Sequence, residues 1–212
     1  MQNKDRYQTT FETWNNIANL YQQVFMDFDL YNDTYDIFCG LIKANNPAIL
    51  EIGCGPGNIT RHLLNQRPDF NILATDIAPN MIKLAKSNCP EAKFEVLDAR
   101  NIDQLTENYE AIICGFCLPY LSADDTAKLI SNAHTLLLTG GLLYLSAIEG
   151  TDERSGFETG TTGDETYVYY HQSTTIEKQL KESNFEVVHL IRKIYTKSDG
   201  TQDTHLIFIA KK

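Results

Sequence analysis

The chain has 212 residues, of which 42% are hydrophobic and 22% charged, the composition of one ordinary globular domain rather than of a disordered or membrane-spanning chain. Its net charge of −10 and the scatter of its 18 Lys and Arg oppose binding to a phosphate backbone, so DNA and large RNA are not expected partners. The opening Met1-Gln-Asn-Lys-Asp-Arg-Tyr7 has no apolar signal core and no run of 18 apolar residues occurs; a cytoplasmic location without a membrane partner is the expectation.

Residues 1 to 46 are rich in aromatics. Phe11, Trp14, Ala18, Tyr21 and Phe25 recur at steps of three or four, one face of a helix. Asp33 can cap a second helix over about 34–43 with Ile37, Leu41 and Ile42 inward. Both precede the first strand, so they form an N-terminal helical cap (1–46) on the domain that follows (47–212), either as a packing layer or as a lid, and Trp14 and Tyr21 are expected to face a ligand.

From residue 48 strands and helices alternate. Strand one covers 48–53 and ends in Glu51-Ile-Gly53-Cys54-Gly55-Pro-Gly57-Asn58; a helix over 57–66 follows. Strand two (72–76) ends at Asp76. Pro79 opens the next helix, as suits a first turn. Strand three (92–97) ends at Asp98, and strand four (109–115) leads through Cys114-Gly-Phe-Cys117 to a helix over 122–138, with Ser122 as N-cap. Gly140-Gly141 breaks the chain before strand five (142–148). The strands are continuous apolar runs, so the sheet is parallel and covered on both faces. Residues 149–165 are polar with four glycines and read as a long, functional loop. A short extended segment (166–171), a helix (174–183) with Asn184 as C-cap, and two strands (185–196 and 204–210) joined through Ser198-Asp-Gly200 close the chain.

The five cysteines (39, 54, 89, 114, 117) form no framework. The Cys114/Cys117 spacing matches redox pairs, but those usually open a helix, whereas this pair ends a strand; a zinc site lacks two further ligands. Buried or half-buried thiols, and no metal, are expected.

A glycine-rich strand-turn-helix holds one of three ligand types. A P-loop needs a lysine after the glycines, and none follows. A dinucleotide turn needs a third glycine where Asn58 stands, and Pro56 removes a backbone donor. The remaining type has no phosphate. Glu51-x-Gly53-x-Gly55-x-Gly57, with Asp76 and Asp98 ending the next two strands, Ala99 after Asp98, the Gly140-Gly141 break and the closing hairpin, resembles the class I S-adenosylmethionine-dependent methyltransferases, and among them the small-molecule enzymes with an N-terminal helical cap. The resemblance spans about residues 40 to 212. It implies a Rossmann-like, doubly wound seven-stranded α/β sheet, mostly parallel with an antiparallel final strand.

It also implies the ligand's placement. Asp76 would accept from both ribose hydroxyls, by the stronger charge-assisted bonds. Asp98 would accept from the adenine amine, with Ala99 and Arg100 as backbone beside the ring and Ile77 and Met81 on its faces. Gly53 and Gly55, with Cys54 and Asn58 of the same turn, would meet the methionine moiety, Glu51 its ammonium, and Gly115 and Phe116 the sulfonium.

Methyl transfer from a sulfonium is a direct displacement that needs alignment and exclusion of water more than acid–base help. Cys117-Leu-Pro-Tyr120 keeps only the Pro-Tyr of the motif found in nucleic-acid amine methyltransferases, so a small molecule is the expected acceptor. Tyr21, Tyr120 and Phe116 are substrate-side candidates with Tyr169, Tyr170, Glu149 at the tip of strand five and His171, which is either a general base or a residue that orders the next helix. Whether oxygen, nitrogen or carbon receives the methyl, and whether the chain is a monomer or homodimer, stays open. So do a non-catalytic S-adenosylmethionine-binding role and, more remotely, a nicotinamide-dependent oxidoreductase.

Overall fold

A computed structural model describes residues 4–160 and 162–212. Met1 to Asn3, where the opening stretch begins, and Thr161 of the polar segment lie outside the described residues.

The aromatic N-terminus is three helices rather than two. Asp5 caps α1 (Arg6–Asn16), its side chain accepting from the Tyr7 and Gln8 N–H groups. The helix breaks at Ile17 (φ −94°, ψ 15°), and α2 (Ala18–Phe25) follows. The stripe survives the break: Ala18 is buried against Ala78 and Met81, with Phe11, Trp14 and Tyr21 beside it. Helix α3 (Asn32–Leu41) starts two residues earlier than the sequence suggests. Tyr31 takes the N-cap position, and Asp33 sits exposed in the first turn, paired to Lys193 at 2.5 Å. Its buried residues are Thr34, Tyr35, Phe38 and Cys39; Ile37 faces out.

The alternating segment follows as expected: β1 (Ala48–Ile52), α4 (Asn58–Gln66), β2 (Asn71–Asp76), α5 (Pro79–Asn88), β3 (Lys93–Val96), β4 (Tyr109–Cys114), α6 (Ala123–Leu136) and β5 (Leu137–Ile148). Pro79 occupies the first turn of α5, and Ser122 caps α6 by accepting from the Asp125 N–H. The glycine pair does not break the chain. It lies inside β5, where Gly140 has φ +80° and a Cβ on Gly141 would lie 3.0 Å from the Glu110 carbonyl oxygen. The register of β4 against β5 shifts beside it, so the glycines accommodate a bulge.

The polar segment is not an open loop. Strand β6 (Gly156–Thr159) pairs antiparallel with β7 (Glu165–Val168) as a separate two-stranded sheet. Helix α7 (Ser173–Glu182) ends with Asn184 at φ +60°, one residue beyond its C-cap. Strands β8 (Glu186–Thr196) and β9 (Gln202–Lys211) form the expected hairpin, with Gly200 at φ +83°.

The seven-stranded sheet has the order β3-β2-β1-β4-β5-β9-β8, with β9 antiparallel to both neighbours. It is the doubly wound, Rossmann-like sheet expected. Successive residues of a strand face opposite sides, and the core divides accordingly. Leu50, Ile112, Leu143 and Phe208 pack with Leu129, Ile130, Ile176 and Leu180 of α6 and α7. Ile49, Ile113, Tyr144 and Ile207 pack on the other face with Phe38, Leu63, Ile82 and Ala85 of α3, α4 and α5. The strand order reverses between β1 and β4, and a ligand crevice forms outside the strand ends at that point.

Candidate active site

At the C-terminal end of β1 the chain turns through Gly53 (φ +71°), Gly55 (φ +53°) and Gly57 (φ +89°), a left-handed series that only glycine takes without strain. The Gly53 and Cys54 N–H groups both donate to the Thr75 carbonyl, at 2.8 and 2.9 Å. This ties the turn to β2. Asp76, at the tip of β2, accepts from the Gly55 N–H at 2.9 Å and from the Ala78 N–H at 2.8 Å, one bond to each oxygen. It therefore shapes the turn and starts α5 together. Burial raises its pKa, against the pull of those two bonds.

A cleft opens above this turn. Its floor includes Gly53, Gly55, Gly115 and Asp76. One end is formed by Ile77, Met81, Leu97, Asp98 and Ala99. There Asp98 accepts from the Arg100 backbone N–H at 2.9 Å and from the Arg100 guanidinium at 2.5 Å, and the guanidinium lies 4.1 Å from the Tyr7 ring. The side chain of Arg100 thus joins the wall, beyond the backbone role expected of it. Tyr7, Thr10, Leu97 and Leu121 also line the cleft and were not foreseen. The spacing of Tyr7, Thr10, Phe11 and Trp14 on one face of α1 carries the missing signal.

The cap covers the cleft. Trp14 meets Tyr21 and Tyr120 edge-on, each with ring centres 5.4 Å apart. Tyr21 lies over the turn, its ring 3.5 Å from where a Cβ on Gly55 would stand. Burial raises the pKa of both Tyr21 and Tyr120, so both phenols keep their protons. Trp14 Nε1 is buried and has no hydrogen-bond partner among the described residues. Helix α1 is held down by the β6–β7 hairpin: Thr10 Oγ1 accepts from the Tyr167 N–H at 2.9 Å, and Thr13 Oγ1 donates to the Glu165 carbonyl at 2.7 Å.

Three turn residues lie behind the wall. Glu51 is fully buried and accepts from the Thr60 hydroxyl at 2.6 Å, while its other oxygen has no partner among the described residues. Cys54 is buried, and Asn58 begins α4; neither lines the cleft. Cys114 is buried and Cys117 half-buried in the cleft wall, both as free thiols, and no group of metal-binding side chains occurs among the described residues.

The structure does not bring His171, Glu149, Tyr169 or Tyr170 to the cleft. Glu149 forms a two-point ion pair with Arg192 at 2.8 and 2.9 Å, which lowers its pKa. Tyr170 donates to Glu158 at 2.6 Å, and Tyr169 is buried beside Tyr7. His171 is buried, its backbone bridged to Glu149, and its Nε2 donates to the Leu118 carbonyl at 2.9 Å. A nitrogen that donates to a carbonyl holds its proton and cannot act as a base. Its place is structural: His171→Ala is expected to lower the unfolding free energy by about 2–3 kcal/mol, read from denaturant melts, and to leave ligand affinity in the cleft unchanged.

Residues 49–141 match the family described as "Methyltransferase domain". Over 116 residues the chain is 34% identical to a malonyl-[acyl-carrier protein] O-methyltransferase of Paenibacillus, which covers 49% of this chain and 40% of that protein. Over 110 residues it is 36% identical to a tRNA N(3)-methylcytidine methyltransferase of Schizosaccharomyces pombe, covering 47% of this chain and 36% of that protein. The chain therefore matches well under two thirds of the length of these curated relatives. Among solved structures it superposes on a magnesium protoporphyrin IX methyltransferase of Synechocystis with bound S-adenosylmethionine, at a TM-score of 0.71 and 18% identity, over 100% of this chain and 99% of the other. The chain has the class I methyltransferase fold, and its residues 49–141 are similar to the methyltransferase-domain family.

Proposed function

We propose that the chain is an S-adenosylmethionine-dependent methyltransferase that transfers the methyl group by direct displacement to a small-molecule acceptor. The observation that carries this reading is Asp76 at the glycine turn. Each of its oxygens takes one backbone N–H and keeps a second lone pair, as a vicinal diol requires. The donor set also fits a cofactor without phosphate: among the described residues no lysine lines the cleft, and the guanidinium of Arg100 is already paired with Asp98.

The rest of the cleft fits the remaining parts. Asp98 with Ala99, between Leu97 and Ile77, would hold the adenine. Gly53 and Gly55 would meet the methionine backbone, and the unpartnered oxygen of Glu51 lies behind them as a hydrogen-bond acceptor for its ammonium. When bound, the cofactor supplies an already activated methyl on a sulfonium. The chain's own part is alignment: Gly115, Phe116 and Cys117 bound the space where the sulfur would lie, while Trp14, Tyr21 and Tyr120 close it from above and exclude water. The neutral phenols can orient an acceptor by hydrogen bonding without charging the site.

The finer parts of the proposal rest on composition. An acidic chain with free cysteines suits the cytoplasm and a small acceptor rather than nucleic acid, acting as a monomer or homodimer, with residues 1–46 as its cap. The test is incubation with methyl-labelled S-adenosylmethionine and fractionated cell extract. Label is expected in the small-molecule fraction. Label in nucleic acid would sink the acceptor class; cofactor binding with no labelled product would leave a non-catalytic binding protein. A thermal shift with NAD but none with S-adenosylhomocysteine would point to an oxidoreductase.

A further inference from the structure

We infer that the acceptor is a carboxylate, held inside the cleft by the indole N–H of Trp14 and the hydroxyl of Tyr120, and that the product is a methyl ester. This names the substrate class of the methyltransferase reading above and rests on it.

The cleft has no free base. Among the described residues no histidine, lysine or glutamate lines it. Its two carboxylates are engaged, Asp76 with the Gly55 and Ala78 N–H groups and Asp98 with Arg100 at 2.5 Å, and the cofactor would take their remaining lone pairs. The Cys114 thiol beside it, together with burial, keeps Cys117 protonated, and burial does the same for Tyr7, Tyr21 and Tyr120. His205 lies behind the Phe116 ring, with centres 5.1 Å apart, and its Nδ1 is bonded to the Tyr31 hydroxyl at 2.6 Å. No group is left at the Gly115–Cys117 end to take a proton from an alcohol, a phenol or an acidic carbon. The acceptor must therefore bring a nucleophile that is already unprotonated.

The cleft does have free donors. Trp14 borders it, and its Nε1 is buried without a partner among the described residues. An indole N–H can only donate, and a buried donor left unmatched is costly. The Trp14 ring centre lies 5.4 Å from that of Tyr120. Tyr120 is half-buried in the same wall; its hydroxyl has no hydrogen-bond partner among the described residues and is not sealed from solvent. The pair stands at the reacting end. The Tyr120 N–H donates to the Cys117 carbonyl at 2.9 Å, and Cys117 abuts the glycine turn, its Cβ 3.1 Å from where a Cβ on Gly53 would stand. Tyr21, over Gly55, is left to the cofactor's own carboxylate.

Two donors without a base select a carboxylate over an amine. A neutral amine has one lone pair, which must attack the methyl carbon, so nothing remains to accept from Trp14. A carboxylate has two oxygens: one can accept from Trp14 and Tyr120 while the other attacks. The attacking oxygen forms its bond to the methyl carbon as the carbon–sulfur bond breaks, and the electron pair of that bond goes to sulfur. The products are a neutral ester and a neutral thioether, and no proton moves. Opposite charges cancel in this step, so a cleft roofed against water favours it.

Trp14 is the chain's only tryptophan, so its indole N–H gives one resonance that needs no assignment. The full chain is saturated with sinefungin, an unreactive analogue that carries an ammonium where the cofactor has its sulfonium. Benzoate is then expected to move that resonance saturably downfield, and benzamide to bind about tenfold more weakly or worse. Tyr120→Phe should weaken benzoate about tenfold, the worth of one hydrogen bond, and leave sinefungin affinity by calorimetry within about twofold; the wild-type measurements stand alone if this variant does not fold. In the labelled-extract incubation the small-molecule product is expected to release volatile labelled methanol in dilute alkali, as an ester does. Label that withstands alkali, a resonance that benzamide moves as readily as benzoate, or one that neither probe moves overturns the inference. Failure of sinefungin and S-adenosylhomocysteine to bind, or cofactor binding with no labelled product in any fraction, would instead overturn the methyltransferase reading, and the acceptor class falls with it.

Discussion

Asp76→Ala is expected to weaken S-adenosylmethionine binding by about 100-fold or more. Two charge-assisted hydrogen bonds to a ribose are each worth roughly 1.5–3 kcal/mol, and every 1.4 kcal/mol is about tenfold. The substitution also strips the Gly55 and Ala78 N–H groups of their acceptor, so the turn itself loosens, and a drop of about 1–3 kcal/mol in stability should accompany the loss of affinity. Asp76→Asn separates the two effects. It keeps one acceptor oxygen for the backbone and offers a donor where the second oxygen stood, so stability should largely return while affinity stays low. Calorimetric titration beside a denaturant melt reads both. An Asp76→Ala chain that binds within about threefold of wild type would move the cofactor away from this turn.

Glu51 gives the second large effect, in the dependence on pH. Burial pushes its carboxyl up to about 8, against about 4.3 in an unfolded chain. Between those values the folded protein carries a proton that the unfolded chain has lost. The unfolded state therefore binds fewer protons, and stability falls as pH rises from about 4.3 to 8, by up to about 1.4 kcal/mol per pH unit. Glu51→Gln, neutral throughout, should flatten that slope and raise the melting temperature at pH 8. If the cofactor ammonium settles near the unpartnered oxygen, binding should also expel the Glu51 proton. Calorimetry at pH 7 in two buffers of different ionisation enthalpy is expected to show proton release in wild type and none in Glu51→Gln. Asp76, whose pKa burial also raises, could release a proton in the same direction, and Asp76→Asn distinguishes the sources. Equal heats in both buffers for the wild-type chain would place the ammonium elsewhere.

The parts of the site that read well from sequence are those fixed by the local chain. A strand tip carries its last residue into the crevice whatever the rest does, so the pattern put Asp76 and Asp98 at strand ends beside the glycine turn, and the family resemblance supplied their roles. The parts that read poorly depend on distant pairing. His171 attracted attention because it was the one histidine in a polar segment, yet its imidazole is consumed by the Leu118 carbonyl. His205 sits in an ordinary alternating strand, and nothing within ten residues says that an antiparallel return will set it beside Phe116. Residues 149–165 look structureless because glycine and polar residues hide the alternation of Phe157 and Tyr167, which meet across the β6–β7 pair with ring centres 5.1 Å apart. Gly140-Gly141 suggests a break because positive φ usually ends an element; inside β5 it absorbs a bulge instead.

The fastening of α1 to β7 has a consequence for how the chain is made. The Thr10 and Thr13 bonds join residues 157 and 152 positions apart. On the ribosome, at about 5–20 residues per second, α1 emerges roughly 10–30 s before the strand that secures it. Its apolar face, with Trp14 and Tyr21, can meet Ala78, Met81 and Tyr120 earlier, but α1 stays without its Thr10 and Thr13 fastenings through that interval. The cap is synthesised before the domain it covers, and its fastening to the hairpin is completed only after β7 has been made.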